Sequence, residues 1–320
     1  METVVPYYER FVRAFPSVAA LARAPLGRVL RLWAGLGYYT RARNLHRAAR
    51  IIAHEHGGRF PQTADEWRQL PGIGRYTAGA IASIANGERV PAVDGNVQRV
   101  LARLWRIDGI VEERSTQARI WGHATAMLPQ RSPGDFNQAL MELGARICTP
   151  RRPQCDACPV RRWCAACAGG VQAELPRRRA KRPAVRVDAV AAVLRRGDRI
   201  LMVRRPETGL LAGLWTLPGG DIPDGASPAE ALRSWAGARL GVEIEVDGHC
   251  ATVQHAFTHR RLNVSVQACR LVRGCLRDTD AVRWVNQAEL AQLPLASVDQ
   301  KLMRAALRVD GSAQPHGLFA

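Results

Sequence analysis

The chain has 320 residues, a formal net charge of +18 at neutral pH and 47% hydrophobic residues. This length and apolar content allow two domains with their own cores and argue against a disordered or fibrous chain. The basic balance favours a polyanionic partner such as DNA or RNA, and no apolar run approaches the roughly 18 residues of a membrane span.

Helical periodicity dominates the first part of the chain. Apolar residues recur there at three- and four-residue spacing, which marks stripes that face a core. The pattern predicts helices over Val4 to Phe15, Pro25 to Leu36 and Thr40 to His56. A GLGYY segment from Gly35 precedes the third helix, and the RARNL stretch from Arg41 is either a solvated helix face or part of a binding surface.

A PGIG turn lies between two further helix-like segments, Thr63 to Gln69 and Arg75 to Ala85. Its glycines allow positive φ and a close approach of the backbone to a partner. Amide N–H groups at the start of the next helix would then face an anion. The turn indicates a helix-hairpin-helix that grips a DNA backbone at Gly72, Ile73 and Gly74, although a tight turn between packed helices needs similar residues.

Asp94 stands in a VDGN segment, just before the amphipathic run Val97 to Trp105. Aspartate favours helix N-caps and turns for local hydrogen-bonding reasons, so a structural role is one interpretation. A capping carboxylate can also face a cleft and take part in chemistry. Asn96 could orient the Asp94 carboxylate, and Arg99 in the amphipathic run is a candidate DNA contact.

The cysteines follow two more predicted helices, Ser115 to Met127 and Asp135 to Ile147. Four soft ligands within seventeen residues can enclose one metal centre, and four thiolates suit either zinc or an iron–sulfur cluster. A fifth cysteine permits a second grouping of two CxxC pairs, which is typical of zinc. The first grouping is Cys148, Cys155, Cys158 and Cys164, and the second is Cys155, Cys158, Cys164 and Cys167.

Beyond the cysteines, Ala168 to Arg186 has no apolar periodicity and is rich in Arg, Pro and Gly, as in a linker. The period then changes to that of strands, which predicts an α+β domain. The predicted strands are Val187 to Leu194, Ile200 to Val203, Val242 to Val246, Ala251 to Phe257 and Leu262 to Leu271, with a helix over Ser227 to Leu240.

These motifs, in this order, resemble the MutY family of adenine DNA glycosylases within the endonuclease III superfamily. The resemblance covers nearly the whole chain. It implies an all-α helix-hairpin-helix glycosylase domain with an iron–sulfur loop, followed by an α+β Nudix-like domain. It also implies a monofunctional base-excision repair enzyme that hydrolyses the N-glycosidic bond of adenine opposite 8-oxoguanine or guanine in double-stranded DNA. We expect a monomer that is cytoplasmic and, when bound to DNA, associated with the nucleoid.

The resemblance assigns roles to individual residues. Asp94 would stabilise positive charge on the sugar, as glycosidase carboxylates do, and Tyr76 could hydrogen-bond near that sugar. The spacing Cys-x6-Cys-x2-Cys-x5-Cys is that of the superfamily's [4Fe–4S] cluster, with loop arginines positioned to meet phosphates. The turn Phe257, Thr258 and His259 matches a Phe-Ser-His turn that senses 8-oxoguanine, although a hairpin with an ordinary buried Phe is the alternative. The implied cluster ligands are Cys148, Cys155, Cys158 and Cys164.

Nudix hydrolases bind magnesium through a glutamate-rich helix, and this chain departs from that pattern. Its corresponding helix, PAEALRSWAGARLGV, retains only Glu230. Because a hard cation needs clustered carboxylates, the sequence predicts a domain that binds rather than hydrolyses.

Two other departures concern catalysis. In the family, a helix containing Ser-Glu-x-Met-Leu-Gln-Gln-Thr precedes PYYERF and its glutamate protonates adenine. The printed chain begins after that motif and Glu2 does not match it, through a late start codon or a genuine loss, so we expect lesion binding with very slow adenine release. Residues 1 to 180 contain no lysine, and Tyr76 stands where lyase relatives carry one, which disfavours strand cleavage through a Schiff base. A non-catalytic binder of damaged DNA and an endonuclease III-like lyase are the alternatives.

The predicted domains follow these motif boundaries. They are a helical glycosylase domain over 1–147, an iron–sulfur loop over 148–168, a linker over 169–186, a Nudix-like lesion-recognition domain over 187–310 and a tail over 311–320.

Overall fold

The computed structural model describes residues 4–180 and 183–308. Contacts divide it into two compact units. The sheet unit combines the described residues up to His46 with those from 183 onward, and the helical unit runs from Arg47 to residue 180. The predicted domain boundaries follow motifs and stay predictions. Glu2, Lys181 and the predicted tail lie outside the described residues.

Helices form at each of the predicted positions in the first part of the chain. The helix predicted over Pro25 to Leu36 ends at Trp33, and two short helices, Val18–Arg23 and Ala165–Ala168, were not predicted. The predicted helix Asp135 to Ile147 starts two residues earlier and changes after Glu142 into a π-helix, Leu143–Ile147. In chain order the helices are α1 (Val5–Ala14), α2 (Val18–Arg23), α3 (Leu26–Trp33), α4 (Tyr39–His54), α5 (Ala64–Arg68), α6 (Arg75–Ala85), α7 (Gly95–Leu104), α8 (Arg114–Met127), α9 (Pro133–Glu142) and α10 (Ala165–Ala168).

The helical unit is built around α7, which is buried along most of its length. Its apolar side chains pack with Ile120 and Trp121 of α8 and with Leu140 of α9 in one core cluster. Because α7 is enclosed by neighbours, residues at its start and along its polar positions are held in a fixed environment. That enclosure matters for the site, since Asp94 immediately precedes this helix.

The sheet unit contains a seven-stranded mixed sheet, with β3-β2-β1-β6-β5 as its main order. β1 and β6 pair in parallel, whereas β4 pairs antiparallel with β1 and β7 with β2. The elements are β1 (Val185–Arg196), β2 (Arg199–Arg204), β3 (Trp215–Thr216), β4 (Gly219–Asp221), α11 (Pro228–Leu240), β5 (Glu243–Ala256), β6 (Arg260–Arg273), β7 (Val282–Val285), α12 (Gln287–Leu290) and α13 (Ser297–Arg308).

The prediction of two strands between Val242 and Phe257 was wrong. One long strand, β5, pairs with β6 throughout, and register shifts at Val246/Gly248 and His249/Ala251 take up the extra residues. Such bulges keep a ladder continuous while bending it. The predicted strands at β1, β2 and β6 and the predicted helix α11 are present, whereas β3, β4, β7, α12 and α13 were not predicted. The two-part fold class is confirmed.

The core of the sheet unit lies between α11 and the sheet. Leu232 and Ala236 of α11 pack with Leu194, Leu201 and Trp284 from the strands. Within the same unit, the Tyr39 hydroxyl donates to the Leu295 carbonyl at 3.2 Å and Arg43 pairs with Glu207 at 3.1 Å. None of the helices in the described residues is long and apolar enough to cross a bilayer.

Candidate functional site

The predicted hairpin is formed by α5, an exposed turn and α6. Thr63 caps α5 in a capping box with Glu66, whose pKa is lowered chiefly by backbone N–H donors. Gly72 has φ +80°, a conformation that favours glycine. Gly74 then starts α6 without a side-chain cap, so the first amides of this helix are available to an anion such as a phosphate.

Tyr76 lies one residue into α6 and is 38% exposed. Its hydroxyl donates to the Met141 sulfur at 3.5 Å. The neighbouring Arg75 places its guanidinium 3.7 Å from the centroid of the Trp121 ring, and burial lowers the pKa of Arg75. The Tyr76 side chain is therefore partly exposed on the hairpin, and its hydroxyl contacts Met141.

Asp94 is the N-cap of α7, and both of its carboxylate oxygens accept hydrogen bonds. Oδ1 accepts from the backbone N–H groups of Asn96 at 2.8 Å and Val97 at 2.7 Å. Oδ2 accepts from the Asn96 side-chain amide at 2.9 Å. Three donors at a helix N-terminus stabilise a negative charge and fix its position. The predicted capping role is thus compatible with an oriented, half-buried carboxylate.

The segment that leads into Asp94 is fixed by Asn137 of α9. The Asn137 side chain is buried, accepts from Ala92 N–H at 3.1 Å and donates to the Ser83 hydroxyl and the Val90 carbonyl, both at 2.9 Å. These hydrogen bonds connect α9 to α6 and to the segment Val90–Ala92 that precedes Asp94.

Arg99, predicted to contact DNA, is only 7% exposed. Its guanidinium donates to the Asn96 side-chain oxygen at 2.9 Å, to the Gly144 carbonyl at 2.6 Å and to the Cys148 carbonyl at 2.7 Å. Burial lowers its pKa. In this conformation Arg99 faces the interior and links the Asp94 turn to the start of the cysteine loop.

Arg103 lies one turn after Arg99 on α7 and is 2% exposed. It donates to the carbonyls of Leu175 at 2.9 Å, Thr149 at 2.8 Å and Pro150 at 3.0 Å. Its Nη1 also lies 3.2 Å from the Cys148 sulfur. One buried cation therefore closes the cysteine loop on α7.

The four predicted metal ligands line a single cavity, together with Arg103 and Gln172. Burial is the main cause that raises the pKa of the Cys155 and Cys164 thiols, so their thiolate forms need compensating positive charge, which a bound iron–sulfur group provides. Soft thiolates beside a guanidinium fit such a group. Within 4–180 and 183–308, no three or more His, Cys, Asp or Glu side chains are grouped to hold a single metal ion. The arginines of the loop are exposed at Arg151, Arg152, Arg161 and Arg162.

Phe257, Thr258 and His259 form the turn between β5 and β6 in the sheet unit. The Phe257 N–H donates to the Arg260 carbonyl at 2.7 Å, and the Val185 N–H donates to the His259 carbonyl at 3.1 Å. Phe257 meets the His255 ring edge-on at 4.7 Å between centroids, while Thr258 and His259 are exposed. The predicted hairpin turn is present, with two polar side chains open to a partner.

A cavity of about 830 Å³ lies in the same unit and is lined partly by Phe257, Trp235 and Arg260. Glu230, the single glutamate retained on α11, caps that helix instead of facing a cation. Its Oε2 accepts from the Ser227 N–H at 2.8 Å and from the Ser227 hydroxyl at 2.7 Å, and these bonds lower the Glu230 pKa. The binding role expected for this domain stays a prediction.

The structure brings Asp94, Asn96, Arg99 and the cysteine loop into one hydrogen-bonded group. Sequence reasoning missed Arg103 and Asn137. Arg99 and Arg103 are four residues apart on α7, and this spacing was a signal that both cations lie on one face of the helix. Asn137 offered no such signal, because its bonds reach residues more than forty positions away.

Three family models match this chain. The model of the HhH-GPD superfamily of base excision DNA repair proteins matches residues 1–124, and that of the iron–sulfur binding domain of endonuclease III matches residues 148–164. A NUDIX domain model matches residues 189–305. The segment 148–164 is thus an iron–sulfur binding segment, and it contains the four predicted ligands.

The chain is also similar to curated proteins over nearly its whole length. It is 34% identical to the adenine DNA glycosylase of Homo sapiens, covering 94% of this chain and 64% of that protein. It is 30% identical to the adenine DNA glycosylase of Schizosaccharomyces pombe, covering 97% of this chain and 77% of that protein. The chain therefore spans slightly less than two thirds of its human relative. A solved structure of a thermostable thymine-DNA glycosylase is 27% identical, covers 52% of this chain and 76% of that chain, and has a TM-score of 0.46.

Proposed function

Since the chain belongs to the adenine DNA glycosylase family, we propose that it hydrolyses the N-glycosidic bond of adenine paired with 8-oxoguanine or guanine in double-stranded DNA. The observation that carries the proposal is the Asp94 carboxylate, fixed by three N–H donors at the start of α7. A glycosylase must draw its target base out of the helix, because the reacting atoms are inaccessible within the duplex. A fixed carboxylate is what the exposed sugar then requires.

Asp94 is the proposed catalytic residue. As the adenine leaves, positive charge develops on the sugar, and an adjacent carboxylate stabilises that charge. The donors that hold Asp94 prevent it from reorganising during the reaction. Protonation of the leaving adenine is a separate task, because one carboxylate cannot both donate a proton and remain the anionic partner of the cation.

The side chains around Asp94 divide into two proposed groups. Asn96 and Arg99 are positioning residues, since Asn96 holds Oδ2 and Arg99 holds Asn96. Tyr76, half exposed on α6, is the proposed hydrogen-bond partner near the sugar. Arg99 is thus assigned an interior role in place of a direct phosphate contact.

DNA backbone binding is proposed at two places in the helical unit. Gly72, Ile73 and Gly74 offer backbone amides at the uncapped start of α6, a grip that carries no sequence information. The exposed arginines of the cysteine loop add a salt-dependent electrostatic attraction to phosphates.

We assign the iron–sulfur group as a [4Fe–4S] cluster held by Cys148, Cys155, Cys158 and Cys164. Four thiolates match the four iron corners of one such cluster. These four cysteines would hold the loop together through the cluster, which would supply the positive charge that buried thiolates need. Arg103 keeps the loop against α7 by donating to Thr149 and Pro150.

Lesion recognition is proposed at Phe257, Thr258 and His259. Phe257 offers an aromatic surface beside exposed hydroxyl and imidazole groups, which suits a stack against a base with polar readout at its edge. We further propose a monofunctional, monomeric enzyme of the cytoplasm and nucleoid. The absence of lysine from residues 1–180 of the sequence supports monofunctional action.

Single-turnover adenine release tests this proposal. Duplexes carrying adenine opposite 8-oxoguanine, guanine and thymine are compared at equal ionic strength. We expect slow release from the first two but not from the third, strand breaks only after alkali treatment, and no borohydride-trapped adduct. A trapped adduct would favour a lyase. Tight binding of the 8-oxoguanine duplex without any release would favour the non-catalytic alternative.

A further inference from the structure

Two histidines flank Phe257, and the proposed lesion contact uses only His259. His255 lies on β5 two residues before Phe257, and His259 follows two residues after it. Side chains two positions apart along a strand point to the same face of the sheet. At the end of β5 the residues at positions 251, 253, 255 and 257 are half-buried, whereas those at 252, 254 and 256 are exposed. His255 and Phe257 therefore share the half-buried face, while His259 is exposed.

The His255 ring meets the Phe257 ring edge-on, with centroids 4.7 Å apart and planes inclined by 69°. Aromatic rings prefer this arrangement, because the positive edge of one ring faces the negative face of the other. The Phe257 backbone is held at the turn by the bond from its N–H to the Arg260 carbonyl at 2.7 Å, which leaves its side chain free to rotate. The contact with His255 restricts that rotation.

His255 is itself backed by α13. This helix packs against β5, and the Lys301 ammonium on it lies 3.5 Å from the carbonyl of Gln254, the residue before His255. Burial lowers the pKa of His255 and the Lys301 charge lowers it further, whereas Asp299 acts in the opposite direction. The net effect keeps the ring neutral at neutral pH. Phe257 therefore rests against an uncharged ring with a helix behind it.

We propose that His255 is a positioning residue for lesion recognition, whose ring holds the Phe257 ring in the orientation that stacks against the base. This inference rests on the recognition turn proposed above. A ring that is oriented before DNA binds loses less rotational freedom on binding. Because phosphate contacts supply general DNA affinity, the orientation of Phe257 should influence the preference between lesion and normal base. His259 is exposed and would contact the base directly.

Competition binding with the full protein tests the role of His255, using duplexes that carry adenine opposite 8-oxoguanine or guanine. His255→Ala should lower the preference for 8-oxoguanine about fivefold, the effect of one edge-on aromatic pair. His255→Leu, which fills the same space without an aromatic edge, should behave like His255→Ala. His255→Phe restores an aromatic edge and should stay within about twofold of the wild type. Gln254→Ala, on the exposed face of the same strand, is the control and should leave the preference unchanged.

A double-mutant cycle with Phe257→Ala separates positioning from direct contact. In the Phe257→Ala background, His255→Ala should change the preference by less than about twofold, because the ring that it positions is absent. An equally large loss in both backgrounds would mean that His255 contacts the lesion itself and would overturn the inference. An unchanged preference in His255→Ala and His255→Leu would overturn it too, as would an equal loss of affinity for both duplexes or no recovery in His255→Phe. If Phe257→Ala itself kept the wild-type preference, the proposed recognition turn would be wrong, and the role of His255 with it.

Discussion

Two turns carry the proposed chemistry, and they are built in opposite ways. Asp94 is held by three donors, and its partner Asn96 is held in turn by a buried arginine. The turn at Phe257 is held by backbone bonds at its ends and exposes Thr258 and His259. The Asp94 carboxylate has its hydrogen bonds satisfied within the protein, whereas the exposed Thr258 and His259 side chains can bind a partner.

The difference follows from what each turn must do. Charge stabilisation in a transition state works best when the stabilising group does not have to reorganise. Recognition of a base edge needs polar groups that have no internal partner, because a satisfied donor gains little by binding. The two turns should therefore respond differently to substitution, and the predictions below test that contrast.

The largest expected effect is at Asp94. Asp94→Asn should lower the single-turnover rate of adenine release by about 10³-fold, the size of effect seen when a preorganised electrostatic group is lost. Asparagine is an equally good N-cap, and its oxygen can still accept from the Asn96 and Val97 amides. The rate is measured with enzyme in excess over an adenine and 8-oxoguanine duplex.

Control measurements distinguish an effect of Asp94→Asn on the chemical step from an effect on the fold or on DNA binding. Asp94→Asn should retain the wild-type iron content, melting temperature and affinity for the duplex. A rate within about threefold of wild type, less than 1 kcal/mol of barrier, would remove Asp94 from the catalytic role. A loss of iron together with activity would show that the substitution acted through the fold.

The second prediction concerns Arg103, the buried cation that holds the cysteine loop against α7. Arg103→Met should lower the free energy of unfolding of the holoprotein by about 3 kcal/mol, because it leaves one buried and two partly buried carbonyls without their donor. Chemical denaturation of the holoprotein measures the change. Arg119→Met, at an exposed position of α8, is the matched control and should change stability by less than about 0.5 kcal/mol. Equal effects would mean that the Arg103 bonds add little.

Local features of the site could be predicted from the sequence. The hairpin glycines and the capping position of Asp94 depend on residues within a few positions of one another, and short-range backbone rules describe such contacts well. The cysteine spacing likewise identified the iron–sulfur segment. The amphipathic run predicted α7 without showing how deeply it is buried.

Other features could not be predicted, because they depend on partners far along the chain. In the sequence, Arg99 was a candidate DNA contact because it is a basic residue in an amphipathic run. Only the fold brings the Gly144 and Cys148 carbonyls to it. The single strand β5 was missed for the same reason. Its continuity comes from pairing with β6, while its own sequence is broken by a glycine near the bulges.

The third prediction concerns the proposed lesion-recognition turn at Phe257, Thr258 and His259. Phe257→Ala and His259→Ala should each reduce the preference for 8-oxoguanine over guanine by about tenfold, the effect of losing one good base contact. General DNA affinity and its salt dependence should stay unchanged, since phosphate contacts supply them. Competition binding with the two duplexes measures the ratio.

The exposed strand residue Val272 provides the control for this pair. Val272→Ala on β6 should leave both duplexes bound as in the wild type. An equal loss of affinity for both duplexes in Phe257→Ala would point to a general packing role for the ring and against lesion recognition.

The smallest effect is expected at Asn96, whose side chain donates to Asp94 and accepts from Arg99. Asn96→Ala removes the 2.9 Å bond to Asp94 Oδ2 and the 2.9 Å bond from Arg99, but it keeps both backbone bonds to Asp94 Oδ1. It also keeps the Cβ, beside which the backbone at Gly144 passes so closely that a side chain there would collide with it. Since the one side-chain bond to the carboxylate is worth roughly 1 kcal/mol, the rate of adenine release should fall about fivefold while duplex affinity and iron content stay constant. The lost bond from the buried Arg99 should lower the melting temperature slightly. Gln98→Ala on the same helix, whose side chain takes no part in holding Asp94, is the control and should leave the rate unchanged. A fall as large as that of Asp94→Asn would mean that Asn96 touches the reacting sugar, whereas an unchanged rate would mean that the backbone amides alone orient the carboxylate.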